Sequence, residues 1–226
     1  MKYIMEREGK PMRRKRIFVL LMSSLLALSM LLSGCKSQTA TDTIKIGSVH
    51  PLTGSMAYEG QAMVNAQKIA IDKINAEGGI NGRLLELVAK DSLGTSSGAA
   101  NAALKLTNSG VVALTGTYTS SSAQVVSRTA EKTRIPLVIT VASSDNLLSN
   151  GYRYTFRVQP SVSVFSQNFL KYLSYFKTDD METVAFIYEN SNYGAGISEY
   201  ITDHIDEIGL RIVGMLSYPA TTSTMS

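Results

Sequence analysis

The sequence predicts an α/β fold built on parallel sheet, and three observations carry that expectation. Short, mostly apolar strand-like runs alternate with helix-period segments from residue 44 onward. Their apolar character is that of strands covered on both faces. Each run is separated from the next by a helical segment, and that order favours parallel strands joined by right-handed crossovers.

Taken in order, Ile44 to Val49 alternates apolar and polar residues and reads as a strand that stops at Pro51. Ala62, Met63, Ala66, Ile69, Ala70 and Ile74 recur at three- and four-residue spacing, the stripe of an amphipathic helix closed by Gly78-Gly79. Leu84 to Ala89 is the second strand, and Asn101 to Asn108 lies in an alanine-rich helix before Gly110. Val111 to Thr115 is the third strand, Ala123 to Lys132 the next helix and Ile135 to Ile139 the fourth strand. Residues 143–160 then turn polar, aromatic and weakly periodic, as expected where a chain crosses from one lobe into another. Two more helix–strand units follow: Val164–Phe176 with Val184–Tyr188, and Ile197–Ile208 with Leu210–Met215. A second lobe with two strands is too small for a covered sheet, so the sequence reads as incomplete at its C-terminal end.

The 226 residues are 44% hydrophobic and 18% charged, a globular composition rather than a disordered one. One cysteine and two histidines leave no disulfide framework and no zinc cluster. The net charge of +4 is unevenly spread: residues 1–34 hold seven Lys/Arg against two Glu, and the rest holds 15 basic against 16 acidic residues. A domain that is net −1 has no attraction for a phosphate backbone, so nucleic acid is not an expected partner. P-loop and dinucleotide glycine motifs do not occur, and no cofactor is expected.

The basic excess sits in a leader. Arg13-Arg14-Lys15-Arg16 precedes the uncharged run Ile17 to Leu32, which at 16 residues is shorter than the roughly 20 of a membrane-spanning helix. Leu32-Ser33-Gly34-Cys35 follows. This order resembles a bacterial lipobox: residues 1–34 as signal peptide, Cys35 acylated, and residues 35–43 as lipidated cysteine and polar tether. The expected location is therefore the extracytoplasmic face of the cell membrane.

The stretch IKIGSVHPLTGSMAYEGQAMVNAQKIAIDKINAEGGINGRLLELVAKDS resembles the opening of type I periplasmic binding proteins, and more narrowly the leucine/isoleucine/valine-binding receptors of ABC transporters. GTYTSSSA (116–123), IPLVITVASSDNLL (135–148), GYRYTFRVQPS (151–161) and NSNYGAG (190–196) extend the likeness, which runs from Ile44 to the last residue. The resemblance implies two α/β lobes joined by a hinge, here 44–157 as lobe one and 158–226 as a truncated lobe two. It also implies a non-enzymatic role: an amino acid bound between the lobes and passed to a membrane permease.

The loops after the strands are where an open α/β sheet binds ligands. Thr117 to Ser122 follows the third strand and opens a helix, so first-turn N–H groups and the helix dipole suit a carboxylate, with Ser120 and Ser121 adding hydroxyls. The family pattern matches this serine loop to the ligand carboxylate. In that pattern the Ala142 carbonyl accepts from the ligand ammonium, and a hydroxyl two positions on, here Ser144 where threonine is usual, helps hold the head group. The loop is one residue shorter than the pattern, which keeps Ser143 a candidate beside Ser144. Tyr193 matches the lobe-two tyrosine that packs on the head group. Tyr58, with Glu59, lies in the loop after the first strand where relatives place a side-chain contact, and Tyr118 is a further candidate. The acid that neutralises the ammonium in the family would fall beyond Ser226.

Two other classes compete. His50, Asp91 and Ser120 all follow strands at one sheet edge, as a serine hydrolase would need, but Ser120 lies outside a G-x-S-x-G elbow. A surface sensor for amides or other small solutes, docking on a kinase or chemoreceptor, would use the same fold.

Overall fold

The computed structural model describes residues 43–220 and Thr222. The elements run β1 (Ile44–His50), α1 (Ala57–Ala76), β2 (Leu85–Asp91), α2 (Ser96–Thr107), β3 (Ala113–Gly116), α3 (Ser120–Thr133), β4 (Leu137–Ile139), β5 (Thr155–Arg157), α4 (Val162–Phe176), β6 (Thr183–Glu189), α5 (Asn192–His204) and β7 (Arg211–Tyr218). The leader, including Cys35, lies outside the described residues.

The first sheet has five parallel strands in the order β2-β1-β3-β4-β5. The chain steps one way from β1 to β2 and then back across to β3. With right-handed crossovers, that reversal puts α1 on one face and α2 and α3 on the other. The main core lies under the second face, where Ala99, Ala103 and Leu106 of α2 and Ala123, Val126 and Ala130 of α3 close over Val49, Leu114, Leu137 and Ile139. Small residues on the helices let them approach the strands closely, which is why an alanine-rich segment serves here.

The fifth strand was not legible in the polar stretch 143–160. It forms because residues distant in sequence hold it. Glu131 of α3 accepts from the N–H groups of Arg153 (3.0 Å) and Tyr154 (2.6 Å), and Leu137 N–H donates to the Tyr154 carbonyl at 2.7 Å. β4 is also shorter than expected, because Ile135 and Pro136 lead into it rather than belonging to it.

The second sheet pairs β6 and β7 in parallel, with an irregularity between Val184 and Ala185. Its core is small: Leu170 of α4, Ile201 of α5, and Ile205 and Leu210 beyond it, packed against Val184, Phe186 and Ile212. The opposite face leaves Ile187 and Leu216 exposed. Among the described residues no helix is long and apolar enough to cross a membrane.

Candidate functional site

The strand order of the first sheet reverses between β1 and β3, the position at which the carboxyl ends of parallel strands splay loops apart. Gly116, the last residue of β3, has φ +114°, and a Cβ there would lie 2.7 Å from the Val49 carbonyl and 2.8 Å from the His50 ring. Only glycine lets the chain turn so tightly over β1. The turn delivers Tyr118 and Thr119 to the sheet edge and starts α3.

Thr119, not a serine, caps α3: its hydroxyl accepts from Ser122 N–H at 3.2 Å and its carbonyl from Ala123 N–H at 3.0 Å. The Thr119 hydroxyl also donates to Ser122 Oγ at 2.8 Å, and Ser121 Oγ donates to it at 3.3 Å. Ser120 and Ser121 are thereby the first two helical residues, whose N–H groups have no intrahelical acceptor and sit at the positive end of the dipole.

A cleft of about 480 Å³ opens in front of these groups. Tyr118, Thr119, Ser120 and Ser121 line it from the β3 loop, and Val141, Ala142 and Ser143 from the loop after β4. Met56 and Gly94 contribute from the loops after β1 and β2. Across from them stand Phe165 of α4, Glu189 at the end of β6, and Ser191, Asn192 and Tyr193 at the start of α5. Gln159 lines it from the crossing segment. Ser191 caps α5 by accepting from Gly194 N–H at 3.2 Å, which sets Tyr193 in the first turn facing the cleft.

The expected site residues thus divide. Ser120, Ser121, Ala142, Ser143 and Tyr193 line one cleft. Ser144 stands behind it: its N–H donates to Ser120 Oγ at 3.3 Å and its hydroxyl to Asn146 at 3.1 Å. Tyr58 is 84% exposed and is not among the lining residues, and Met56 is what the first loop places there. Of the two serines, Ser143 lines the cleft and Ser144 braces the serine loop.

Arg157 is a part of the site that sequence reasoning did not find. Its Nη1 donates to the carbonyls of Ser143 (2.9 Å) and Ser144 (2.8 Å), and Val162 N–H donates to the Ser143 carbonyl at 2.8 Å. Burial lowers the Arg157 pKa, and nearby Asp145 opposes that shift. Asp145 itself accepts from the N–H and hydroxyl of Ser163 at 3.0 and 2.8 Å, tying the β4 loop to α4. The Ser143 and Ser144 carbonyls are thus occupied, and Ala142 lines the cleft beside them.

Behind the cleft, His50 is fully buried and neither ring nitrogen has a hydrogen-bond partner. Burial pushes its pKa down to about 4; the neighbouring Gln67 side chain, short of hydrogen-bond geometry, opposes this in part. Asp91 serves its own loop, accepting from Leu52 N–H (2.8 Å), Leu93 N–H (2.7 Å) and the Thr53 hydroxyl (2.6 Å). Burial raises its pKa, but these hydrogen bonds outweigh that and hold it below the usual carboxylate value. His50, Asp91 and Ser120 are not hydrogen-bonded to one another. The Tyr118 pKa is raised by burial and by the charges of Glu59, Glu189 and Tyr193.

A family model described as periplasmic binding protein matches residues 43–226. The chain is 28% identical over 206 residues to a Leu/Ile/Val-binding protein homolog 8 of Brucella suis, covering 88% of this chain and 51% of the relative. Among solved structures, the branched-chain amino acid transporter substrate-binding protein LivJ of Streptococcus pneumoniae, in complex with isoleucine, superposes with a TM-score of 0.74 at 29% identity, covering 82% of this chain and 52% of that one. An ABC transporter substrate-binding protein of Desulfitobacterium hafniense in complex with Leu has the same fold, with a TM-score of 0.67 at 22% identity over 78% of this chain and 51% of that one. The chain spans about half the length of the curated relatives it matches.

Proposed function

The chain belongs to the periplasmic binding protein family, and from that premise we propose that it is the extracytoplasmic solute-binding receptor of an ABC importer, taking branched-chain or related amino acids into the cleft and delivering them to a permease. The observation that carries this reading is the pairing within one cleft of a helix N-terminus, Ser120 and Ser121, with an aromatic ring, Tyr193. The α3 terminus supplies N–H donors and dipole to a carboxylate. The Ala142 carbonyl and the Ser143 hydroxyl are placed for an ammonium. Tyr193 offers a ring face, worth roughly 0.5–2 kcal/mol beside a cation. The isoleucine complex of the Streptococcus pneumoniae relative supports the branched-chain assignment. On this reading residues 44–157 form lobe one and residues 158–226 belong to lobe two, and the ligand is gripped as the lobes close.

The family is made up of solute-binding proteins rather than enzymes, and the cleft residues are read here as binding groups only. Acylation at Cys35 would hold the domain at the membrane. Mass spectrometry of the mature protein from the membrane fraction should then find Cys35 as an acylated N-terminal residue, and an unmodified cysteine there would count against the anchor. The binding claim is tested by calorimetry of the intact protein against aliphatic amino acids, short amides, urea and a sugar. Saturable heat with leucine, isoleucine or valine is expected; heat with the sugar alone would overturn it.

A further inference from the structure

Just behind the cleft floor runs a row of buried polar groups that the protein itself does not satisfy. The ladders joining β1, β3 and β4 end on Val49, Gly116 and Ile139, which stand side by side. One residue further along are His50, Thr117 and Thr140. The backbone keeps them in step, since Thr117 N–H donates to the Val49 carbonyl and Thr140 N–H to the Gly116 carbonyl, both at 3.0 Å. The His50 ring lies so close over Gly116 that a Cβ there would sit 2.9 Å from Nε2. Both His50 nitrogens, Thr117 Oγ1 and Thr140 Oγ1 are shielded from solvent, and none has a hydrogen-bond partner among the described residues. Thr117 also has φ +66°, a conformation that a β-branched residue seldom takes. Each threonine directly precedes a residue of the cleft wall, Thr117 before Tyr118 and Thr140 before Val141. The Thr117 carbonyl accepts from Ala142 N–H at 3.3 Å, so the two loops meet over this row.

A neutral imidazole carries one donor and one acceptor, and a hydroxyl carries one donor with acceptor capacity to spare. Left dry, such groups cost the fold their desolvation, whereas a buried water makes about three hydrogen bonds and removes that cost. With strands about 4.8 Å apart, water between neighbouring members of the row reaches both. We propose that His50, Thr117 and Thr140 hold ordered water beneath the cleft floor, and that this site fixes the turn at Thr117 and so positions Tyr118 and the start of α3 for the ligand. Thr117 is a positioning residue here and touches no ligand atom. Only its effect on affinity rests on the amino-acid reading of the cleft; the water does not depend on what the cleft binds.

The test is a high-resolution crystal structure of the intact protein together with Thr117→Val, which keeps the branched Cβ and removes the hydroxyl. The structure should show ordered water within hydrogen-bond distance of Thr117 Oγ1 and a His50 nitrogen. Thr117→Val should melt at least about 2 °C lower than the native protein, the size of one buried hydrogen bond in a domain of this length. A dry, orphaned hydroxyl gives the opposite sign, because valine then removes a desolvation cost. Thr140→Val should add little when combined with Thr117→Val, since the two share the water. Calorimetry should find leucine weakened about three- to tenfold by Thr117→Val and largely restored by Thr117→Ser, which keeps the hydroxyl. A row without water, or a Thr117→Val protein as stable as the native one, would overturn the site. Native-like leucine affinity in a destabilised Thr117→Val protein would overturn the positioning role. A native protein that binds no amino acid would overturn the amino-acid reading instead, with the crystal structure and the melts still deciding the water.

Discussion

Lowering the pH from 7.5 to 4.5 should destabilise this fold through His50, and the size of the effect follows from its burial. The ring lies behind the cleft at 0% exposure with both nitrogens unpartnered, and its pKa is pushed down from 6.5 to about 4. A histidine whose folded pKa is depressed takes up its proton more readily when the chain unfolds. The stability present above the unfolded value near 6.5 is therefore lost as the pH falls through about 4. At about 1.4 kcal/mol per pKa unit, the loss between pH 7.5 and 4.5 is about 2 kcal/mol, and it approaches about 3 kcal/mol below pH 4. Asp91 works in the same direction in a lower window. Its folded pKa is depressed, so its contribution is lost as the pH falls below its ordinary 3.8; it is exposed enough to solvent that its share is small. The assay is urea unfolding of the native chain and of His50→Gln at pH 7.5, 6.5, 5.5 and 4.5. The native free energy should fall by about 2 kcal/mol more than the variant's across that range, whatever the variant's absolute stability. Parallel pH profiles for the two proteins would refute the argument.

Two further predictions concern the scaffold of the site. Gly116→Ala should cost about 2–4 kcal/mol, since φ +114° and a Cβ 2.7 Å from the Val49 carbonyl admit no side chain; a melting temperature within a degree of the native protein would contradict this. Arg157→Lys should loosen the β4 loop by losing a donor shared between the Ser143 and Ser144 carbonyls. It should weaken leucine about tenfold, with only a few degrees lost in melting temperature, and unchanged affinity would remove Arg157 from its positioning role.

What could be read from the sequence was what local pattern determines. Strands β1 to β4 and their helices follow from apolar period and glycine punctuation, and the serine loop is legible because a cap and first turn are local chemistry. The choice of Thr119 over its serine neighbours as the cap was not legible, because adjacent hydroxyl residues can all accept from a first-turn N–H. β5 was missed because three residues in a polar stretch pair only when Glu131 and Leu137 hold their backbone. Arg157 is not singled out by the sequence, since its acceptors are backbone carbonyls that carry no sequence signal. The same limit applies to Glu189, which becomes a cleft residue only once β6 is laid across from α3. Tyr58 is the second residue of α1 and exposed, whereas Met56, two residues earlier, lines the cleft; where the loop ends and the helix begins is not fixed by the sequence of the loop.

The central claim, that an amino acid's head group is held between the start of α3 and Tyr193, is tested most directly by a crystal structure of the intact protein grown with L-leucine. The account predicts the carboxylate within hydrogen-bond distance of the Ser120 and Ser121 N–H groups, with the Tyr193 ring against the head group. Leucine bound elsewhere, or bound in the cleft with its carboxylate turned away from α3, would contradict it.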